Sequence, residues 1–245
     1  MGINDPVVEM ALDAAKRLFA LAKTVLVITG AGISAESGVP TFRGAGGYWR
    51  NKHFSDLATP EAFAANPQEV WEWYCSRRQT VTACQPNAAH IALTEWAKRR
   101  SGITLVTQNV DGLHERAGHP DVVRLHGTLW MNRCTACGTE REDRSLSYDA
   151  LPQSPCCRAP ERPAIVWFGE CIPEEPLNRA HRATLDSEAV LVIGTSGVVY
   201  PAAGFVERCA ERGIPVIDVN PDLTSLPSTI AITANAADAI PLILS

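Results

Sequence analysis

A parallel, doubly wound α/β sheet is the fold this sequence predicts, and three features predict it. Short β-branched runs recur at 24–29 (TVLVIT), 103–107 (ITLVT), 189–194 (AVLVIG) and 214–219 (IPVIDV), the pattern of strands buried on both faces. Helical patterns separate these runs, and strands that alternate with helices pair in parallel. The first run ends at Gly30-Ala31-Gly32-Ile33-Ser34-Ala35, as a strand entering a tight phosphate-binding turn does. The expected class is therefore α/β and Rossmann-like.

Along the chain, the first 23 residues read as an amphipathic helix. They carry acids early and lack the uninterrupted apolar stretch and small-residue cleavage site of a secretory signal. Residues 37–50 are too rich in Gly and Pro for a helix and fit a mobile loop over a bound nucleotide. Asn66 is a candidate N-cap with Pro67 at the first helical position, which opens a helix over 67–82. A second helix is expected from about Asn87 to Arg100. Residues 131–163 break the rhythm, being rich in Cys, Arg, Ser and Pro with little apolar content, and read as an inserted small module that builds no core of its own. The expected division is a nucleotide-binding domain over 1–130 and 164–245, the module at 131–163, and a helical and loop insertion around 36–80.

Composition bounds the function. At 245 residues, with 46% hydrophobic and 20% charged residues, the chain buries a proper core. Its mean hydropathy of −0.04 excludes a membrane-embedded or disordered protein. A net charge of −5 supplies no overall positive field for nucleic acid or anionic lipid, so any anion site is local. No apolar run approaches a membrane span, and the expected address is the cytoplasm. Eight cysteines in such a chain favour metal ligation or burial over disulfides. Cys134, Cys137, Cys156 and Cys157 cluster, whereas Cys75, Cys84, Cys171 and Cys209 are scattered and read as packing residues.

Gly30-x-Gly32-x-x-Ala35 fits the dinucleotide fingerprint, although a glycine turn that binds nothing fits the same residues. Thr107-Gln108-Asn109-Val110-Asp111-Gly112-Leu113-His114 sets polar side chains directly after an apolar strand, where parallel sheets form their ligand crevice; a capped Asp-Gly turn is the plainer alternative. His126, followed by Gly127, is the histidine best placed to move a proton.

Taken together, Gly-Ala-Gly-Ile-Ser at 30–34, Gly-Val-Pro-Thr-Phe-Arg at 38–43, the 107–114 segment, His126-Gly127, Val-Trp-Phe-Gly-Glu at 166–170 and Gly-Thr-Ser at 194–196 closely resemble the sirtuins, NAD-dependent protein lysine deacylases. The resemblance runs from about Lys23 to Pro241. It implies NAD as co-substrate, with His126 as the general base that takes a proton from a ribose hydroxyl. Asn109 and Asp111 would hold the ribose and the nicotinamide carboxamide, Ile33 would line the nicotinamide pocket, and Gln108 would contact the nicotinamide ribose. Gly30, Ala31, Gly32, Ser34, Phe42, Arg43, Gly194, Thr195 and Ser196 would surround the rest of the dinucleotide, with Asn220 and Ala236 toward the adenosine. Val166-Trp167-Phe168 and Gly197-Val198-Val199 look like the two extended stretches that take up the substrate peptide by strand addition. Trp167 and Phe168 also fit as ordinary core aromatics.

Helical spacing puts Val70, Tyr74, Arg77 and Val81 on one stripe, so that Arg77 shares a face with apolar neighbours. The Tyr74-x-x-Arg77 pair resembles the signature of the class III sirtuins, which remove succinyl, malonyl and related acidic groups. Arginine binds a distal carboxylate bidentately and tyrosine adds a hydrogen bond, whereas a neutral acetyl offers neither partner. Ala45 matches the small residue that leaves room for a longer acyl chain. Without the resemblance, Arg77 would read as paired with an internal acid, or Arg77-Arg78 as a solvated basic face.

Cys134-x-x-Cys137 is a zinc knuckle, but Ser154 stands where a second C-x-x-C would begin, leaving the adjacent pair Cys156-Cys157. A structural zinc is expected on Cys134, Cys137 and Cys157, with Cys156 or a water as fourth ligand. The expected partners are acyl-lysine proteins or peptides, with no nucleic acid and no membrane, and the chain is expected to be a monomer. The competing functions are acetyl-lysine deacetylation without acidic preference, ADP-ribosyl transfer or NAD hydrolysis on the same scaffold, and a zinc-ribbon binding module on an inert Rossmann frame.

Overall fold

The structure is a computed structural model, and it describes residues 3, 5–41 and 48–245. Phe42, Arg43 and Ala45 lie outside the described residues. Asp5 caps helix α1 (Pro6–Leu21) by accepting the Val7 N–H at 2.9 Å, and Val8, Leu12, Ala15 and Phe19 form its buried face. Strand β1 (Val25–Thr29) runs into a 3-10 helix at Ala31–Ser37. A small hairpin of β2 (Tyr48–Trp49) and β3 (Lys52–His53) follows, then helices α2 (Phe54–Leu57), α3 (Pro60–Ala65), α4 (Pro67–Ala83) and α5 (Ala88–Arg99). The Asn66 cap is as expected, its side chain accepting the Glu69 N–H at 3.2 Å. Asn87 caps α5 in a reciprocal box with His90.

Next come β4 (Ile103–Thr107), α6 (Leu113–Arg116) and β5 (Val122–Arg124), and then three antiparallel strands, β6 (Gly127–Cys134), β7 (Glu140–Glu142) and β8 (Glu161–Ile165), in the order β7-β6-β8. The chain closes with α7 (Glu174–Asp186), β9 (Ala189–Ile193), α8 (Ala202–Glu211), β10 (Val216–Asn220), β11 (Ile230–Thr233) and α9 (Ala236–Leu244).

The main sheet is parallel, in the order β11-β10-β9-β1-β4-β5. Counted in chain order within the sheet this is the Rossmann arrangement 6-5-4-1-2-3, whose switch point lies between β1 and β9. Every residue of β1, β9 and β10 is buried, because alternate side chains face alternate layers. Val27, Leu191 and Val219 pack under α1, α5 and α9, while Leu26, Ile28, Val190 and Val192 pack against Ala180 of α7 and Phe205 and Val206 of α8.

Two strands of the parallel sheet, β5 and β11, were not expected from the sequence. The antiparallel sheet also reaches beyond the expected 131–163, because β6 begins at Gly127 and β8 ends at Ile165. Leu129, Trp130 and Ile165, which flank 131–163, pack with Trp71, Trp73 and Tyr74 of α4. Arg78 of α4 is 0% exposed, so the solvated Arg77-Arg78 face is replaced by a buried guanidinium. It donates to the carbonyls of Leu129 at 2.7 Å and Ser145 at 2.9 Å, to Tyr148 at 2.9 Å and to Asn132 at 2.8 Å.

Candidate active site

The carboxyl ends of β1 and β9 meet at the switch point through glycine backbones. Gly194 has φ +61°, and a Cβ there would lie 2.3 Å from the Ile33 nitrogen; one on Gly30 would lie 2.8 Å from the Gly194 carbonyl oxygen. The close packing explains why glycine occupies these positions, and it leaves short backbone turns lining the crevice. Gln108 and Asn109 follow β4 beside them. The Gln108 amide donates to Thr195 Oγ1 at 3.0 Å, and the Asn109 amide donates to the Gly30 carbonyl at 3.0 Å and to Ser34 Oγ at 3.3 Å. Asp111 accepts from Ser34 Oγ at 2.8 Å and from the Leu113 N–H at 2.8 Å. Burial pushes its carboxyl pKa up, against the pull of those two donors. The structure thus brings Gly30, Ser34, Gln108, Asn109, Asp111, Gly194 and Thr195 into one cluster.

His126 follows β5 and is half-buried. Its Nδ1 lies 3.0 Å from the Gln108 carbonyl oxygen, an acceptor only, so Nδ1 carries the proton and Nε2 keeps its lone pair. Burial lowers its pKa and the Gln108 contact partly restores it, so the ring is a neutral base at neutral pH. Gly127 has φ +76°, and a Cβ there would meet the Ala164 carbonyl oxygen at 2.1 Å, which is how the chain turns sharply from His126 into β6.

On α4, Val70, Tyr74 and Val81 are buried and Arg77 is half-buried, as the stripe requires. Burial lowers the Arg77 pKa, while Tyr74 and Asp111 oppose that shift, so the guanidinium sits within electrostatic reach of the Asn109–Asp111 segment. The Tyr74 hydroxyl accepts the Trp167 indole N–H at 2.8 Å.

Other expected residues divide. Phe168 and Val198 are 50% and 67% exposed and Val166 is half-buried, whereas Trp167 is 3% exposed and faces Tyr74 and Arg162. Ile33 is 0% exposed within the core cluster that includes Val27 and Ile193. Ala31 and Ser196 are half-buried on the two turns, and Gly32 packs its Cα side against Gly194. Asn220 at the end of β10 is buried and donates to Asp218 at 2.6 Å, and Ala236 is buried at the start of α9. Trp130 is an addition that sequence reasoning missed: its indole N–H donates to the Asp111 carbonyl at 2.8 Å and braces that segment. No feature of the sequence pairs a tryptophan of β6 with a carbonyl on a separate segment.

The sulfur atoms of Cys134, Cys137, Cys156 and Cys157 all lie within 4.8 Å of one another. The Cys134–Cys157 and Cys137–Cys156 separations are 3.3 and 3.1 Å, close to the roughly 3.8 Å edge of a tetrahedron with Zn–S bonds of ~2.3 Å. The residues therefore fit one zinc ion with four thiolates, the adjacent pair included, and Arg158 directly after that pair turns the chain with φ +61°. Ser154 is buried, with Oγ 3.1 Å from the Cys156 sulfur, where it supports that ligand. Such a zinc would be structural, tying down the outer end of β6. Cys75, Cys84 and Cys209 are buried as expected, but Cys171 is exposed, since it lies in the irregular stretch before α7 where no layer covers it.

Behind the Ser34–Asp111 contact stands a row of buried histidines, with ring centroids 4.9 Å apart for His90 and His114 and 6.3 Å for His114 and His119. Burial lowers the pKa of all three, that of His90 to about 4. The unfolded chain, titrating near ~6.5, takes up protons first as pH falls. Stability is therefore complete above that value and is lost downward toward pH 4. A urea midpoint followed from pH 7 to 4 is expected to drop, with His90 alone contributing on the order of 3 kcal/mol, and His90→Gln is expected to flatten the profile. A flat wild-type profile would contradict the neutral row.

A Rossmann sheet with a glycine-lined switch point, a neutral histidine over it and a four-sulfur cluster at the side defines a nucleotide-binding α/β enzyme. Residues 30–201 match the Sir2 family, and the chain belongs to that family. It is 47% identical over 204 residues to the NAD-dependent protein deacylase of Aquifex aeolicus, covering 82% of this chain and 85% of that protein. It is 41% identical over 247 residues to the mitochondrial NAD-dependent protein deacylase sirtuin-5 of Xenopus tropicalis, covering 89% and 79%. A solved Sir2 homologue in complex with NAD superposes with a TM-score of 0.88 at 40% identity, covering 95% of this chain and 92% of that one. Among the described residues no helix is long and apolar enough to cross a membrane.

Proposed function

We propose that this NAD-dependent protein deacylase prefers lysines carrying an acidic acyl group, succinyl or malonyl, and converts NAD to nicotinamide and O-acyl-ADP-ribose while freeing the lysine. The acyl oxygen attacks C1′ of the nicotinamide ribose, the glycosidic bond breaks and nicotinamide leaves with its bonding electrons. His126 Nε2 then takes the proton of a ribose hydroxyl, whose oxygen bonds the acyl carbon. The C–N bond to lysine breaks, the amine leaves carrying a proton, and water adds to the acyl carbon, so that NAD, acyl-lysine and water give nicotinamide, O-acyl-ADP-ribose and lysine. Asn109 and Asp111 position the ribose and carboxamide, and the turns at Gly30 and Gly194 hold the phosphates through backbone N–H groups. Phe168 and Val198 flank the peptide, which fits their exposure.

The observation that carries the acidic preference is the pairing of Tyr74 with a half-buried Arg77 on one face of α4, with Arg77 electrostatically coupled to both Tyr74 and Asp111. A carboxylate at the distal end of the acyl chain can take two parallel N–H bonds from this guanidinium and a third hydrogen bond from the Tyr74 hydroxyl, none of which a neutral acetyl offers. The test compares succinyl-lysine and acetyl-lysine peptides on the wild type and on Arg77→Met. The variant is expected to lose about 10- to 100-fold in succinyl kcat/KM, the worth of ~1.5–3 kcal/mol for a hydrogen bond to a charged group, with a much smaller change on acetyl. A wild type that favours acetyl, or succinyl cleavage indifferent to Arg77→Met, sinks the reading.

A further inference from the structure

The Tyr74 hydroxyl is 3% exposed with its residue, and its hydrogen bonding is half complete. An indole N–H is a donor only, so at 2.8 Å from Trp167 the phenol oxygen must accept, and its single proton points elsewhere. Among the described residues that proton has no acceptor. A buried phenol with an unsatisfied donor beside a guanidinium suits an anionic acceptor that the described residues do not supply.

Trp167 is in turn held on three sides. The Arg162 guanidinium stacks over its ring, 3.3 Å from the centroid. Glu170 binds Arg162 through both carboxylate oxygens, at 2.5 and 2.8 Å, and accepts the Trp167 backbone N–H at 2.9 Å. Arg162 also donates to the Ile165 carbonyl at 2.8 Å, which ties the stack to the end of β8. Phe63 covers the ring from α3, with centroids 5.4 Å apart. The indole is thus clamped in place and does not adjust to its partner.

We propose that Trp167, clamped by Arg162 and Glu170, is a positioning residue for acyl selectivity: by donating to the Tyr74 oxygen it directs the phenol proton onto the acyl carboxylate. This deepens the acidic-acyl reading and rests on it. Without the indole donor the phenol oxygen would no longer be held as an acceptor, and the direction of its proton would not be fixed.

The experiment is a double-mutant cycle of Trp167→Phe and Tyr74→Phe, with Arg77→Met alongside, measured on succinyl and acetyl peptides. Trp167→Phe is expected to raise the succinyl KM roughly 5- to 10-fold with a smaller effect on kcat, and to cut the succinyl-to-acetyl ratio of kcat/KM by a similar factor. In the Tyr74→Phe background the same change is expected to leave that ratio untouched. Equal losses on both peptides, or fully additive losses in the double variant, overturn the positioning role. If Arg77→Met lowers succinyl cleavage and Trp167→Phe does not, Trp167 loses its role while the acidic-acyl reading stands; if neither does, both fall. Should Trp167→Phe fail to fold, Glu170→Gln decides by the same ratio, since its amide still accepts the Trp167 N–H but releases the bidentate hold on Arg162. A twofold to threefold fall in the ratio is then expected, and no fall overturns the proposal.

Discussion

His126→Ala is expected to lower formation of O-acyl-ADP-ribose by about 10³-fold, within the range a positioned general base contributes. The Gln108 carbonyl fixes the tautomer, leaving Nε2 unprotonated, and alanine removes that lone pair without touching the glycine turns proposed to hold the nucleotide. Acyl-independent cleavage of NAD should persist, because it does not need the proton transfer. Mass spectrometry of the products separates the two, and a variant that keeps acyl transfer within tenfold of the wild type would count against His126 as the base. The pH profile of the wild type carries the same information. Burial lowers the His126 pKa, so the acid limb of kcat/KM is expected with its midpoint below the ordinary histidine value of ~6.5. Activity is lost as pH falls through that midpoint, since the protonated ring cannot accept the hydroxyl proton.

The largest effect on stability is expected from Arg78→Met, at about 3–5 kcal/mol, the usual cost of removing one partner from a buried charged network. The guanidinium has 0% exposure and four direct partners, Leu129, Asn132, Ser145 and Tyr148, with Asp143 at 3.8 Å. Asn132 in turn donates to Asp143 at 3.3 Å, to Glu161 at 3.1 Å and to Tyr148 at 3.1 Å, and Arg141 binds Glu161 at 2.6 Å and Asp143 at 2.9 Å. Methionine fills much of the volume, so the loss reports the unpaired carbonyls and acids and not a cavity. The urea midpoint measures it, and a shift worth less than ~1 kcal/mol would show that water or a neighbour replaces the guanidinium.

The contrast between Arg77 and Arg78 shows what sequence reading reaches here. The stripe of Val70, Tyr74, Arg77 and Val81 follows from the helical period alone, and the structure keeps it. Yet α4 is covered on more than one side, with Trp71, Trp73, Cys75 and Arg78 also buried, and its second cover is a sheet formed more than forty residues later. A local period carries no record of acceptors that distant, so Arg78 read as solvent-facing. The same limit hid the Trp130–Asp111 and Trp167–Tyr74 contacts, which join residues on separate elements. The interior strands were legible because burial on both faces demands continuous apolar residues; β5 and β11 were not, since Val122–Arg124 is only three residues long and the edge strand Ile230–Thr233 alternates in exposure. The glycine turns were legible because close backbone approach restricts which residues serve there, and the four-cysteine cluster because Cys134-x-x-Cys137 has ligand spacing and a second, if adjacent, pair follows it.

The position of β1 has a consequence for biosynthesis. One of its edges is completed by Ile103–Thr107, but the other waits for Ala189–Ile193, which pairs with it residue for residue. At a translation rate of roughly 5–20 residues per second, this apolar ribbon of the nascent polypeptide stays open along one side for on the order of ten seconds. A ribosome-bound chaperone that shields that ribbon, and a yield that falls when translation is slowed between codons 107 and 189, are what this topology leads one to look for.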